Sequence, residues 1–159
     1  MTNFCSEEIK KKVFNNQNEW ATNIVKIGRA YLDNQNYIKM TEEFLDKLYL
    51  FEKGKILFKP TKAKEKQFRV NKAEFMSYFI GYNKVSDEDK GFVLEPWEKV
   101  HFENFDIVSY KDIIISMGNY FFINYKDEKI KAEYSFGYCF DINKNLKIIF
   151  HHSSLPYNG

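Results

Sequence analysis

The chain has 159 residues, of which 44% are apolar and 29% are charged, a composition typical of one globular domain rather than a disordered segment. Its 24 basic and 22 acidic side chains leave a formal net charge of +2, too little to attract a nucleic acid backbone or an anionic membrane. Because it has only two cysteines, Cys5 and Cys139, and no apolar run suited to a signal peptide or a membrane span, we expect one domain over residues 1–159 in the reducing cytoplasm.

The first half of the chain is predicted to be helical. Three segments carry apolar residues at helical spacing: 6–33, 37–51 and 71–81. Ser6 and Asn71 are suited to cap the first and third helices, and Gly54 to end the region of the second. A short strand over 55–61 and a polar, lysine-rich loop separate the second helix from the third.

After Pro96 the apolar spacing changes to two, which predicts strands. Four candidates are separated by turn-rich segments: 97–108, 113–125, 129–140 and 146–152. Gly118, inside the second of them, is expected to mark a bulge that curls the sheet. Helices followed by an antiparallel meander predict an α+β domain, with a strongly curved sheet bent around the helices into a cone that has a pocket at its mouth.

The last strand ends in His151-His152-Ser153-Ser154-Leu155-Pro156. Since side chains alternate along a strand, His152 and Ser154 share a face with the apolar Ile148 and Phe150, while His151 lies on the opposite face. This predicts His152 and Ser154 at the pocket mouth; the alternative is that both are ordinary polar residues at a strand end. A metal site is not favoured, because neighbouring histidines point apart and the only other histidine is His101.

The ending resembles the HHSSxP ending of the iota-class carbonic anhydrases, which are related to the calcium/calmodulin-dependent kinase II association domain in the NTF2-like superfamily. Further segments resemble blocks of that family in the expected order: Leu57-Phe58-Lys59-Pro60-Thr61, Phe68-Arg69, Ser77-Tyr78-Phe79-Ile80-Gly81, Met117-Gly118-Asn119-Tyr120-Phe121-Phe122 and Tyr134-Ser135-Phe136-Gly137-Tyr138. The resemblance covers about two thirds of the chain. It implies an NTF2-like cone and the reversible hydration of carbon dioxide.

By this resemblance, Thr61, Tyr78 and Ser154 would hydrogen-bond bicarbonate, with His152 beside them to take or relay a proton. Ser153 would be the binding serine instead if the tail bulges. Apolar walls are expected from a further set of side chains: Phe79, Phe122 and Phe150. The family has been regarded both as metal-dependent and as metal-free; a chain poor in cysteine and histidine favours no cofactor, with zinc or manganese left open. Carbon dioxide or bicarbonate is the expected substrate, and a homodimer the expected assembly.

Two other functions fit the same fold. A non-catalytic association or ligand-binding module would use the cone to assemble with another chain. An isomerase or cyclase acting on a larger organic molecule would need a carboxylate inside the pocket. Glu133 and Asp106 are the nearest candidates, but the strand alternation predicts that Glu133 faces solvent.

Overall fold

The computed structural model describes residues 4–159 and confirms the α+β architecture. Three helices come first in the chain: α1 (Glu7–Leu32), α2 (Tyr37–Leu48) and α3 (Lys72–Ile80). Five strands form one sheet: β1 (Leu57–Lys59), β2 (Trp97–Tyr110), β3 (Ile113–Asn124), β4 (Lys129–Phe140) and β5 (Leu146–Ser154). Short 3₁₀ turns at Phe51–Lys53 and Phe92–Leu94 complete the described elements.

The predicted helix ends rest on local hydrogen bonds. The Ser6 hydroxyl accepts from the Ile9 backbone N–H at 3.2 Å, and the Asn71 side chain accepts from the Glu74 backbone N–H at 3.0 Å. The second helix is shorter than predicted, because it ends at Leu48 and Tyr49 is already extended. Tyr49 leaves the helix to form a parallel bridge with Ile148 of β5.

The strand order is β1-β5-β4-β3-β2, with β1 parallel to β5 and the other pairs antiparallel. The concave face of the sheet packs on α1, whose Trp20 lies 1% exposed among aromatic side chains from several strands. The core is therefore a set of interlocking rings between one long helix and a curved sheet. No helix of the described chain is long and apolar enough to cross a membrane.

The strand register shifts at three places, and two of these bulges bear on the site. One is at Phe105 of β2, where Asn104 pairs with Gly118 and Asp106 pairs with Met117. The bulge expected at Gly118 thus lies in the neighbouring strand, and the glycine makes room for it: a Cβ atom at Gly118 would lie 2.8 Å from the Phe105 backbone nitrogen. A second bulge, at Ile149 of β5, determines which side of the sheet the end of that strand presents.

Candidate functional site

At the end of β5, the side chains that point inward are not those predicted from simple alternation along the strand. Tyr138 pairs with Ile148 and Gly137 pairs with Phe150, so Ile149 is an extra residue. The extra residue shifts the alternation by one: His151 and Ser153 are each 1% exposed, whereas His152 and Phe150 face outward. The prediction that His152 and Ser154 point into the cone is therefore wrong, and Phe150 lies on the outer face of the sheet rather than on the wall of the inner cavity.

The bulged arrangement brings Ser153 against Thr61. Their hydroxyl oxygens are joined by a short hydrogen bond. Thr61 follows β1, the strand that runs parallel to the end of β5, which explains how residues 92 positions apart meet. The Lys59 ammonium donates to the Ser153 carbonyl at 3.1 Å and ties the two strand ends together.

Tyr78 adds a third hydroxyl from α3. Its oxygen accepts a hydrogen bond from the Lys62 backbone N–H at 3.2 Å, one residue after Thr61. Its ring stacks on Phe92 with the ring centroids 5.6 Å apart. Burial raises the pKa of Tyr78, so the phenol is neutral and keeps its proton for a ligand.

Thr61 and Tyr78 line a small cavity of about 10 Å³, room for roughly one water molecule, and Ser153 lies beside it through its bond to Thr61. Its lining is aromatic apart from the polar atoms at one end and consists of Trp20, Phe58, Thr61, Tyr78, Phe79, Phe92, Tyr120 and His151. Phe79 lines this cavity, whereas Phe122 does not line it and instead contacts Phe92, with ring centroids 5.1 Å apart. Tyr78 and Phe92 also line a wider surface cleft that contains Lys62 and Glu95.

His151 lies at the inner end of the cavity. Its ring is stacked between Phe136 and Phe58, with centroid distances of 4.1 and 4.5 Å. Its ring nitrogens contact two tyrosine hydroxyls: Nδ1 is 3.0 Å from Tyr49 and Nε2 is 3.2 Å from Tyr120. Desolvation by burial, with a smaller effect of the neighbouring His152, holds the pKa of His151 well below its usual value, so this imidazole is neutral at physiological pH.

A buried ion pair holds the two segments that carry Thr61 and Tyr78. Arg69 is 0% exposed and makes two bonds to the Asp89 carboxylate, at 2.7 and 2.8 Å. Ser77, next to Tyr78 on α3, donates to the same carboxylate at 2.5 Å. Arg69 also pairs through its backbone with Phe58 of β1. The pair thus links α3 to the strand that leads to Thr61.

The structure therefore brings together Thr61, Tyr78, Phe79 and Ser153, and it leaves His152, Ser154 and Phe150 on the outer face. Sequence reasoning missed Tyr120 and His151. A signal for Tyr120 was present, because Tyr120 shares the inward face of β3 with Phe122, two residues further on. Within residues 4–159, no group of three or more histidine, cysteine, aspartate or glutamate side chains is placed to hold a metal ion.

The fold is that of the NTF2-like superfamily. An NTF2-like protein from Salmonella enterica superposes with a TM-score of 0.58 at 9% identity, over 97% of this chain and 95% of that one. A putative calcium/calmodulin-dependent kinase II association domain from Xanthomonas campestris gives 0.58 at 16% identity, over 100% and 94%. At such low identity these similarities concern the fold alone.

The sequence places the chain more narrowly within that fold. Residues 11–155 match the family model of the metal-independent carbonic anhydrases. A metal-independent carbonic anhydrase from Nostoc sp. (strain PCC 7120) is 33% identical over 144 residues, which are 89% of this chain and 70% of that protein. A cyanobacterial iota-carbonic anhydrase, crystallised with bicarbonate, superposes with a TM-score of 0.90 at 30% identity, over 100% and 97%. The chain belongs to the metal-independent carbonic anhydrase family.

Proposed function

We propose that this chain catalyses the reversible hydration of carbon dioxide to bicarbonate without a metal, and that the reaction takes place in the cavity beside Thr61 and Ser153. The observation that carries the proposal is the lining of that cavity, where hydroxyl groups meet at one end of an otherwise aromatic space. Carbon dioxide is apolar and offers little to hydrogen-bond, so aromatic walls suit it. The developing bicarbonate oxygens need donors, which the hydroxyls provide.

The size of the cavity supports a small substrate. At about 10 Å³ it has room for roughly one water molecule, far less than the roughly 300–1,000 Å³ of pockets that take ordinary organic ligands. The carboxylates considered for an isomerase or cyclase lie elsewhere, since Glu133 and Asp106 are both exposed. These features favour hydration of carbon dioxide over chemistry on a larger molecule.

The hydroxyls have separable roles in this proposal. Thr61 and Ser153 share one short hydrogen bond, so together they can donate one proton to a ligand and accept another from water. Tyr78 has its oxygen occupied by the Lys62 N–H, which leaves its own proton as a donor. Without a metal to acidify water, rate enhancement rests on positioning the water and on stabilising the charge that develops on oxygen.

The decisive experiment is a stopped-flow hydration assay with a pH indicator on protein treated with a chelator. We expect hydration faster than in buffer alone, and the same rate after zinc or manganese is added back. The matched variant is Thr61→Val combined with Ser153→Ala, which removes both hydroxyls at nearly constant volume and should return the rate to that of buffer. A chelated wild type no faster than buffer, or a fully active double variant, contradicts the proposal.

We also propose that the protein is a homodimer formed through the outer face of the sheet. Several large apolar side chains are exposed there: Leu57, Phe68, Phe105, Ile115, Met117 and Phe150. A contiguous apolar face of this kind favours self-association, and the small net charge of +2 opposes it little. Light scattering should give twice the mass of one chain for the wild type. The double variant Met117→Lys with Phe105→Glu should give the mass of a single chain. A monomeric wild type at micromolar concentration would refute the dimer.

A cytoplasmic location is proposed as well. Both cysteines are free thiols, Cys5 buried and Cys139 half-buried, which suits a reducing compartment. Fractionation of cells that produce the native protein, followed by immunoblotting, should find it with soluble cytoplasmic markers. Recovery with exported proteins would contradict this location.

A further inference from the structure

Four residues from distant parts of the chain form one line of hydrogen bonds behind the cavity: Trp20, Tyr49, His151 and Tyr120. The line begins at α1, where the Trp20 indole nitrogen is 3.0 Å from the Tyr49 hydroxyl oxygen. An indole nitrogen only donates, so the Tyr49 oxygen accepts this bond. The direction of the first bond is therefore fixed by chemistry alone.

The next bond takes its direction from the first. Tyr49 is fully buried, and its one other side-chain hydrogen-bond partner in the described chain is Nδ1 of His151, at 3.0 Å. If Nδ1 carried a proton, both neighbours would donate to the Tyr49 oxygen and the proton of Tyr49 would be buried without an acceptor. Burying a donor unpaired is costly, so Tyr49 donates and Nδ1 accepts.

The tautomer of His151 follows. A neutral imidazole carries one proton, and with Nδ1 as acceptor that proton lies on Nε2. Nε2 is 3.2 Å from the Tyr120 hydroxyl oxygen, which accepts from it. The proton of Tyr120 is then free to point toward the cavity, where the hydroxyls of Ser153 and Thr61 lie beside it.

We infer that Trp20 and Tyr49 lock His151 in its Nε2–H tautomer, so that Tyr120 is a catalytic donor to the bound oxyanion and His151 takes no proton from the reaction. The inference rests on the proposed function and assigns the residues behind its site. Trp20, Tyr49 and His151 are positioning residues, since they act through Tyr120.

The line is also closed to proton transfer. A proton could leave the cavity along this line only if the direction of every hydrogen bond were reversed. The line ends at the indole of Trp20, whose nitrogen donates a hydrogen bond and cannot accept one. The proton released by hydration must therefore leave on the cavity side, through the Thr61–Ser153 hydroxyls or water. The histidine at the inner end of the cavity thus serves as a fixed dipole rather than a base.

The tautomer is measurable without any activity, by ¹⁵N NMR of histidine-labelled protein. The three histidines are assigned with His101→Gln and His152→Gln. We expect His151 to show an unprotonated Nδ1 and a protonated Nε2. In Tyr49→Phe, which removes only the hydroxyl, the two signals should move toward a tautomer mixture, and in Tyr138→Phe they should not. Tyr138 is a matched control, because it is a buried tyrosine of the same sheet that bonds Ser116 at 3.1 Å.

An unprotonated Nε2 in the wild type, or an unchanged tautomer in Tyr49→Phe, overturns the inference. The wild-type spectrum shows which ring nitrogen of His151 is protonated even if a variant fails to fold. In the hydration assay, Tyr120→Phe should lower kcat/KM about 10²-fold, as expected for loss of an oxyanion donor. Tyr49→Phe should lower it about 10-fold, as a displaced positioning group does, while Tyr138→Phe stays within about 2-fold.

The two readouts separate the inference from the proposed function. If the wild type is inactive, the function fails, while the spectrum still reports the tautomer. If the enzyme is active and Tyr120→Phe keeps full activity, the assigned role of Tyr120 is wrong and the function stands.

Discussion

Gly137 and Phe150 are paired across β4 and β5, and a Cβ atom at Gly137 would lie 3.1 Å from the Cβ atom of Phe150. The missing side chain lets the bulged strand approach β4 closely. The extra residue in that strand, Ile149, is what turns His151 and Ser153 toward the cavity. The position of the hydroxyl site thus depends on a glycine that does not touch it.

The first prediction separates the two serines. Ser153→Ala removes the hydroxyl bonded to Thr61 and should lower kcat/KM for hydration about 10²-fold, the usual cost of losing one preorganised donor. Ser154→Ala changes a side chain on the outer face and should stay within about 2-fold, since surface changes of this kind are nearly neutral. Stopped-flow assays of both variants, with melting temperatures as a check on folding, measure the difference. A larger loss in Ser154→Ala than in Ser153→Ala would contradict this assignment and would indicate that β5 has no bulge and that Ser154 faces the cavity.

The sequence predicted the helices because their signals are local. Ser6 and Asn71 cap hydrogen bonds only three residues away, so residue type and spacing suffice. The second helix, α2, ends earlier than predicted because Tyr49 bonds to residues far away in the sequence. These are Trp20 on another helix and His151, 102 residues later. No periodicity within a short segment contains that information.

Alternation failed on the last strand for a different reason. Side chains alternate between the two faces of a strand only while every residue is paired with the neighbouring strand. The unpaired residue Ile149 therefore moves each later side chain of β5 to the opposite face. Gly137 and Gly118 both lie in strands whose neighbour carries the bulge. An isolated glycine in a strand pattern is thus a warning about the adjacent strand, which sequence order alone does not identify.

A second prediction concerns acid stability. The pKa of His151 is depressed, chiefly by burial, so below its ordinary value of about 6.5 the unfolded chain binds a proton that the folded chain does not. The free energy of unfolding should therefore be highest above that pH and should fall on acidification by up to about 1.4 kcal/mol per pH unit. Urea denaturation across this range measures the slope.

His152, the exposed neighbour of His151, provides the control for this prediction. Burial, and then the Lys59 charge, also lower the pKa of His152, so its contribution has the same sign, and His152→Gln should keep the part of the slope that belongs to His151. In His151→Gln that part should be lost. Because the variant removes two buried hydrogen bonds, an NMR titration of the wild type serves as an independent test. Normal titration of His151 near pH 6.5 would contradict the prediction.

A third prediction concerns the ion pair behind the site. Asp89→Asn removes both short bonds to the buried guanidinium of Arg69 and leaves only the Glu88 carboxylate, 3.7 Å away, as counter-charge, which should destabilise the fold by about 3–5 kcal/mol. Asp46→Asn breaks a comparably short pair with Lys72 in which both side chains are solvent-accessible, and should cost less than about 1 kcal/mol. Urea denaturation of the two variants gives both values. Equal costs would mean that Arg69 reaches water when its partner is lost.

The last prediction tests the bulge opposite Gly118. A methyl group at this position would lie 2.8 Å from the backbone nitrogen of Phe105 and 2.9 Å from the Cα atom of Asn104. Backbone atoms cannot rotate away as a side chain can, so Gly118→Ala must displace β2 and should cost about 1–3 kcal/mol. Ile142→Ala, at a 93% exposed turn position outside the proposed dimer face, should change stability by about 0.5 kcal/mol or less. Chemical denaturation distinguishes the two, and a fully stable Gly118→Ala would show that β2 can shift without cost and that the bulge does not fix the curvature of the sheet.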